Sequence, residues 1–479
     1  MQVESLSRRR FSSAVIAWCR RVGTLVAASL LMAPAAAGQA LPGSAPSEAE
    51  SLVQTYLQGR ITVNPEVDST RDYRGFEVLV LRQAAEGRLD TLGYAVTDVQ
   101  GHFATGVVAP ARGIYPLVVR RRGTTVAATD YVVAEGDSAR LEVELPLRRP
   151  LHIRSTENAA WTAYQNTMAL HREGLIRSLQ DTTDAAGAME AQIRQTAHVL
   201  WSMRTTYPNT LGAAQGAVES ISLLEGWNDS LVVARAREIE PSNPRFVESA
   251  RLARRAEARR SGQAAALALL RDFRERAISP AQKAALHAEI VQAHIDSLEQ
   301  EEALAAARQL AQEYPGTPWA AWAERAEYEV ENLLPGMPAP TFEATTWAGE
   351  PFDLGALAGR PVVLEFYQPA DELYQGQLAA RKALYDATRA VDLALVSVSF
   401  QPDTLLNEAF FEGRDLPGTH IVATTEQARA LVETYNIGAL PTRLLVDADG
   451  TIVGKYVGSA FAALQEEVRR LMEADASAQ

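Results

Sequence analysis

The apolar residues of this chain change their spacing twice, and that change restricts the fold more than any single motif does. Between Arg60 and Leu147 they alternate with polar residues in short runs, Phe76–Leu81, Gly93–Val96, Tyr115–Val119, Tyr131–Val133 and Leu141–Leu145, as half-buried strands require. From residue 155 to 334 they recur at helical spacing, as in Leu267, Leu270, Phe273 and Ala277, or Leu304, Ala307, Leu310 and Tyr314. Beyond Gly336 the two kinds of run alternate: Val362–Tyr367, then a helical stretch Tyr374–Val391, then Leu393–Ser399. A helix over Thr425–Tyr435, a hairpin of Arg443–Asp447 and Ile452–Tyr456 around Asp449-Gly450, and a last helix over Phe461–Met472 complete the order. The pattern predicts a multidomain chain: an antiparallel β-sandwich over residues 60–149, an all-α region over 155–334 and an α/β domain over 336–475.

The first 37 residues read as an export signal. Arg8, Arg9, Arg10, Arg20 and Arg21 lead into the uncharged run Val22–Met32, and Ala35, Ala36 and Ala37 follow. The run is shorter than a membrane span needs, so the layout predicts a cleaved signal peptide, no retained transmembrane anchor and a periplasmic or otherwise exported protein. Ser7-Arg8-Arg9-Arg10-Phe11 fits a twin-arginine signal, while Arg20-Arg21 interrupts that pattern. Residues 38–59 read as a tether, with a short helix over Glu48–Leu57. The chain's net charge is −13, and residues 1–37 hold five Arg against one Glu, so the exported part is more acidic still. That sign opposes binding to nucleic acid or to an anionic membrane.

Thr97-Asp98-Val99-Gln100-Gly101-His102-Phe103, followed by Gly113-Ile114-Tyr115, resembles the carboxypeptidase-regulatory-like or prealbumin-like sandwich, an accessory module of exported proteins. In the all-α region Tyr207-Pro208, Pro241–Pro244, Ser279-Pro280 and Tyr314-Pro315 break the periodicity, which predicts roughly six or seven helices. Tyr207-Pro208-Asn209-Thr210 and Tyr314-Pro315-Gly316-Thr317 are similar to the ends of tetratricopeptide-like helix pairs, and an irregular helical domain is the competing reading.

The last third carries the most specific resemblance. Pro335–Phe342, Phe352-Asp353-Leu354 and Leu357–Leu364 resemble the opening of TlpA/ResA-type thiol-disulfide oxidoreductases and related peroxiredoxins, the AhpC-TSA group. Tyr435-Asn436-Ile437-Gly438-Ala439-Leu440-Pro441-Thr442 resembles that family's cis-proline loop, and Val446–Ile452 its hairpin. The resemblance implies a thioredoxin-like fold. Its chemistry, however, belongs to a Cys-x-x-Cys pair, and the only cysteine in 479 residues is Cys19, inside the expected signal. Alignment on Phe366-Tyr367 places Asp371 and Tyr374 at the two cysteine positions; a peroxiredoxin alignment puts the reactive position near Gly376. Without a thiolate neither alignment supports disulfide exchange.

Other residues are candidates for a role. Glu365 matches the family's buried acid: burial would raise its pKa and make it a candidate general base, or it is a strand residue tied to a neighbouring side chain. Asp371 and Glu372 suit a helix N-terminus. Tyr367, Tyr374, Leu440 and Pro441 are candidates for lining a peptide groove in which the main chain of Leu440 pairs with an extended ligand; the competing reading is that this loop maintains the fold. His287 and His294, seven apart, read as a solvated helix face, and His102, His152, His171, His198 and His420 are scattered. No metal or cofactor is implied. The sequence thus points to a non-enzymatic protein with a protein or peptide partner in the cell envelope. Catalysis of the oxidoreductase type through residues other than cysteine is the alternative.

Overall fold

The computed structural model describes residues 52–67, 69–83, 88–180, 184–388 and 392–478; the expected signal peptide and residues 38–51 of the tether lie outside them. The chain divides into two compact units, Ser44–Leu286 and His287–Gln479.

Among the described residues the first unit opens with eight strands: β1 (Val53–Val63), β2 (Phe76–Gln83), β3 (Leu89–Val96), β4 (His102–Ala109), β5 (Gly113–Arg121), β6 (Thr124–Val133), β7 (Ser138–Leu145) and β8 (Ile153–Arg154). They form two sheets, β4-β1-β7-β8 and β3-β2-β5-β6. Inward residues of both, among them Leu57, Ile61, Val107 and Leu141 from one and Phe76, Val78, Leu117 and Tyr131 from the other, share one core. Two expectations are corrected. Val53–Leu57 is strand, not the end of a helix: Thr55, Leu57, Ile61 and Val63 alternate inward, and that period continues past Leu57. The region is also not wholly antiparallel, because β1 runs parallel to β7, with Gly59 opposite Leu141. A side chain at Gly59 would meet the Leu141 carbonyl oxygen at 1.9 Å, so only glycine lets the two strands approach there. The basic run Arg120–Arg122 does end at a hairpin tip, where Arg122 and Gly123 both have positive φ.

Nine helices follow among the described residues: α1 (Thr156–Gln180), α2 (Ala185–Thr206), α3 (Leu211–Leu224), α4 (Asp229–Arg237), α5 (Phe246–Ser261), α6 (Gln263–Arg276), α7 (Pro280–Asp296), α8 (Gln300–Glu313) and α9 (Pro318–Asn332). The sequence count of six or seven was low because several breaks carry no proline: Gly226 and Gly262 turn the chain with positive φ, and so does Leu298. The buried Asn158 on α1 exchanges two hydrogen bonds with the main chain of Val132, 2.9 and 3.3 Å, and so takes the place of a neighbouring strand for β6. His287 and His294 are buried rather than solvated, 3% and 8% exposed, because α7 is enclosed on the face that carries them. His294 Nδ1 lies 2.6 Å from Glu299, and His287 Nδ1 lies 3.4 Å from Glu313.

In the second unit, short strands β9 (Glu343–Thr345) and β10 (Pro351–Asp353) pair with each other. Then come β11 (Val362–Tyr367), α10 (Glu372–Thr388), β12 (Ala394–Ser399), α11 (Thr404–Phe411), β13 (Thr419–Val422), α12 (Thr425–Thr434), β14 (Thr442–Val446), β15 (Ile452–Val457) and α13 (Phe461–Ala478). The sheet order is β13-β12-β11-β14-β15. β11, β12 and β13 are parallel, while β14 and β15 run antiparallel. Every residue of β11, β12 and β14 is buried, which explains why apolar residues predominate in them. Sequence reading missed α11 and β13. The α9 helix is bound into this unit by Lys455, whose ammonium lies 2.7 Å from Glu329, and by Asn436, which donates to Glu329 at 2.7 Å.

Candidate functional site

Period two in β11 sends Val362, Leu364 and Phe366 into the core on one side of the sheet, and Val363, Glu365 and Tyr367 to the other side. In register, Glu365 stands opposite Ser397 of β12 and Arg443 of β14. The row continues to His420 of β13 and Tyr456 of β15, so polar residues cross the whole sheet in one line. The α10 helix covers it with Tyr374, Gln377 and Arg381, which helical spacing places on one face.

Glu365 is the centre of this row and has no exposed surface. Its Oε1 accepts from Arg381 Nε at 2.8 Å, Ser397 Oγ at 3.1 Å and the Tyr374 hydroxyl at 3.2 Å. Its Oε2 accepts from Arg443 Nε at 2.6 Å. Arg381 also donates to Ser397 and to the Pro417 carbonyl. Arg443 donates to Gln377 at 2.8 Å, and its guanidinium lies over the Phe461 ring, 4.7 Å from the centroid. Burial would push the Glu365 carboxyl up. The charges of Arg381 and Arg443, with their hydrogen bonds, overcome that and hold it down to about 2.

This reverses the direction expected from sequence. Burial was expected to raise the pKa of Glu365, but that expectation left out two guanidinium groups brought in from positions 381 and 443. A carboxylate that accepts from four donors, ionised and shut off from solvent, is a structural counter-ion rather than a general base. Arg381, Arg443, Ser397 and Gln377 went unnoticed in the sequence. The signal was there for Glu365 and Arg443: each is the one charged residue in a strand otherwise free of charge, and two such strands side by side need their charges paired.

At the positions matching the cysteines both side chains are engaged in hydrogen bonds within the fold. The Asp371 carboxylate accepts from the Tyr374 N–H at 2.8 Å, so it caps α10, as a helix N-terminus favours. Tyr374 is fully buried and stacks on Tyr367 at 4.2 Å, and Phe410 of α11 closes over both rings. Burial, and next the charge of Glu365, raise the pKa of both tyrosines, which keeps them neutral. Tyr367 and Tyr374 therefore do not line an open groove, and that expectation is corrected: α11, unseen in the sequence, supplies the cover. Gly376 is exposed on α10.

The loop before β14 is different. The Leu440–Pro441 peptide bond is cis. Pro441 is buried, and Leu440 is half-buried with its side chain against the core. The Pro441 carbonyl accepts from Gly458, and the Ala439 carbonyl from Thr442. The main-chain N–H and C=O of Leu440 make no hydrogen bond among the described residues. Of the groups considered for peptide contact, this is the one the structure leaves open. Among the described residues no three His, Cys, Asp or Glu side chains gather to hold a metal ion, and no helix is long and apolar enough to cross a membrane.

Residues 335–457 match the AhpC/TSA family. Among curated proteins, a thiol-disulfide oxidoreductase ResA of Bacillus cereus is 24% identical over 128 residues, 27% of this chain and 72% of that protein. ResA of Bacillus anthracis is 23% identical over the same length and the same shares. Among solved structures, the thioredoxin domain of a thiol-disulfide oxidoreductase from Bacteroides vulgatus aligns at 19% identity with a TM-score of 0.27, covering 29% of this chain and 99% of that one. StoA from Bacillus subtilis aligns at 23% identity with a TM-score of 0.24, covering 28% and 98%. The C-terminal part of the chain is an AhpC/TSA-type thioredoxin-like domain that resembles the thiol-disulfide oxidoreductase ResA.

Proposed function

We propose that this is an exported protein of the cell envelope whose thioredoxin-like domain binds a protein or peptide partner without thiol chemistry. One observation carries the reading: the positions matching the two cysteines have structural tasks, Asp371 as the cap of α10 and Tyr374 as a buried donor to Glu365, while the main chain of Leu440 keeps its hydrogen-bonding groups available. An extended peptide laid beside Leu440 would gain main-chain hydrogen bonds and contact with its half-buried side chain, a binding mode that needs no covalent step.

The test begins with the chain lacking residues 1–37 as bait for envelope proteins, followed by titration of the captured partner. Leu440→Arg, with its fold checked by hydrogen exchange of β14, should weaken binding at least tenfold. Unchanged affinity in a folded variant would move recognition away from this loop. Tyr374→Ala, at a position expected from sequence to line the groove, instead opens a core cavity and reports on stability.

A further inference from the structure

The α11 helix and the turn after β9 form a feature that the Leu440 loop does not use. Trp347 is 40% exposed, yet its main chain is fixed at the sheet edge, where its N–H donates to the His420 carbonyl of β13 at 2.7 Å. Its ring rests on Phe411 with centroids 4.9 Å apart, and Phe411 in turn meets the edges of His420 and Phe410 at 5.3 and 5.4 Å. The result is a braced aromatic floor. Glu408 and Glu412 stand over it, and with Trp347 and Phe411 they line a shallow depression of about 460 Å³.

These two carboxylates are one helical turn apart, a spacing at which like charges disfavour the helix. Among the described residues neither side chain has an ion pair or a hydrogen bond. Arg414, the nearest cation in sequence, is engaged elsewhere: its guanidinium lies over Phe410 at 4.9 Å and donates to the Phe410 carbonyl. Leu405, three residues before Glu408 and on the same helix face, is 73% exposed, and Leu406 is 51% exposed. Burial, and next the nearby charge of Arg381, hold the His420 pKa down to about 4, so the imidazole behind the floor is uncharged at neutral pH.

We infer that this cleft accepts the cationic side chain of a basic segment in a partner protein, an Arg or Lys lying on Trp347 and Phe411 between Glu408 and Glu412, with an apolar neighbour against Leu405. Charge complementarity selects a cation, the aromatic face adds cation–π attraction, and the exposed leucines beyond the depression select a polypeptide over a small ion. The site lies at the β13 edge, with β12 and β11 between it and β14, and stands independently of the Leu440 reading.

The probe is an acetylated decapeptide of alternating Leu and Arg, titrated calorimetrically into the chain lacking residues 1–37 at about 50 mM salt, where surface charges are little screened. Glu408→Gln/Glu412→Gln should weaken binding by about tenfold or more, and Trp347→Ala by about tenfold. The same charge removal elsewhere, Glu301→Gln/Glu302→Gln in the first turn of α8, should leave it unchanged. Four results would overturn the inference: no binding to the unaltered chain, equal weakening by the α8 pair, unchanged affinity in both cleft variants, or binding of acetyl-arginine amide as tight as that of the peptide.

Discussion

Replacing Glu365 by Gln should leave Arg381 and Arg443 facing each other in the interior without their counter-ion. The cost can be approached in two ways. Removing one partner of a buried ion pair costs about 3–5 kcal/mol. Separately, lowering a carboxyl pKa from 4.5 to about 2 represents roughly 3 kcal/mol of stability at neutral pH. The sign follows from that direction: the contribution is fully present above the unfolded value near 4.5 and is lost as pH falls through the folded value near 2. The assay is hydrogen exchange on the full chain, read at the amides of β11 and β14, which gives the opening free energy of this sheet alone. Glu365→Gln should speed exchange there by two orders of magnitude or more at pH 7 and flatten its dependence on acid between pH 4.5 and 2. Replacing Glu365, Arg381 and Arg443 together by Leu, Met and Met should recover most of the loss, since the penalty comes from unpaired charge. A Glu365→Gln variant within about 1 kcal/mol of the parent would refute the assignment of Glu365 as the counter-ion of this cluster.

Asp371→Ala removes the cap of α10 and should cost about 1 kcal/mol, seen as faster exchange in the first turn of that helix, with Asp371→Ser close to neutral. Asp371→Cys/Tyr374→Cys should not rebuild an oxidoreductase: it trades a stacked, hydrogen-bonded ring for a cavity beneath Phe410, with an expected loss of about 3 kcal/mol and no gain in insulin reduction. Lys455→Met breaks the pair with Glu329 and should destabilise the second unit by about 3 kcal/mol, with the excess exchange concentrated in α9 and β15.

The second unit was legible in sequence where its elements obey a local rule. The strands Val362–Tyr367 and Ala394–Ser399 are mostly apolar because both their faces are covered, and the helix start at Glu372 follows a capping carboxylate. What escaped was decided by distant residues. The four-residue strand β13 is too short to show a period, and α11 has an apolar front, Leu405-Leu406, that points outward, so neither gives a clean local pattern. The buried cluster depended on strand register: nothing local at Glu365 says that Arg443, 78 positions later, will be its neighbour. The reading of Val53–Leu57 failed for the opposite reason, since five residues fit a helix and only the run on to Val63 shows the alternation.

The central claim is that this thioredoxin-like domain works without thiol chemistry, and insulin reduction with dithiothreitol as electron donor tests it most directly. The chain lacking residues 1–37 has no cysteine, so its rate should equal that of dithiothreitol alone. A rate clearly above that background, lost in Glu365→Gln or in Asp371→Ala, would contradict the account and assign catalysis to a residue described here as structural.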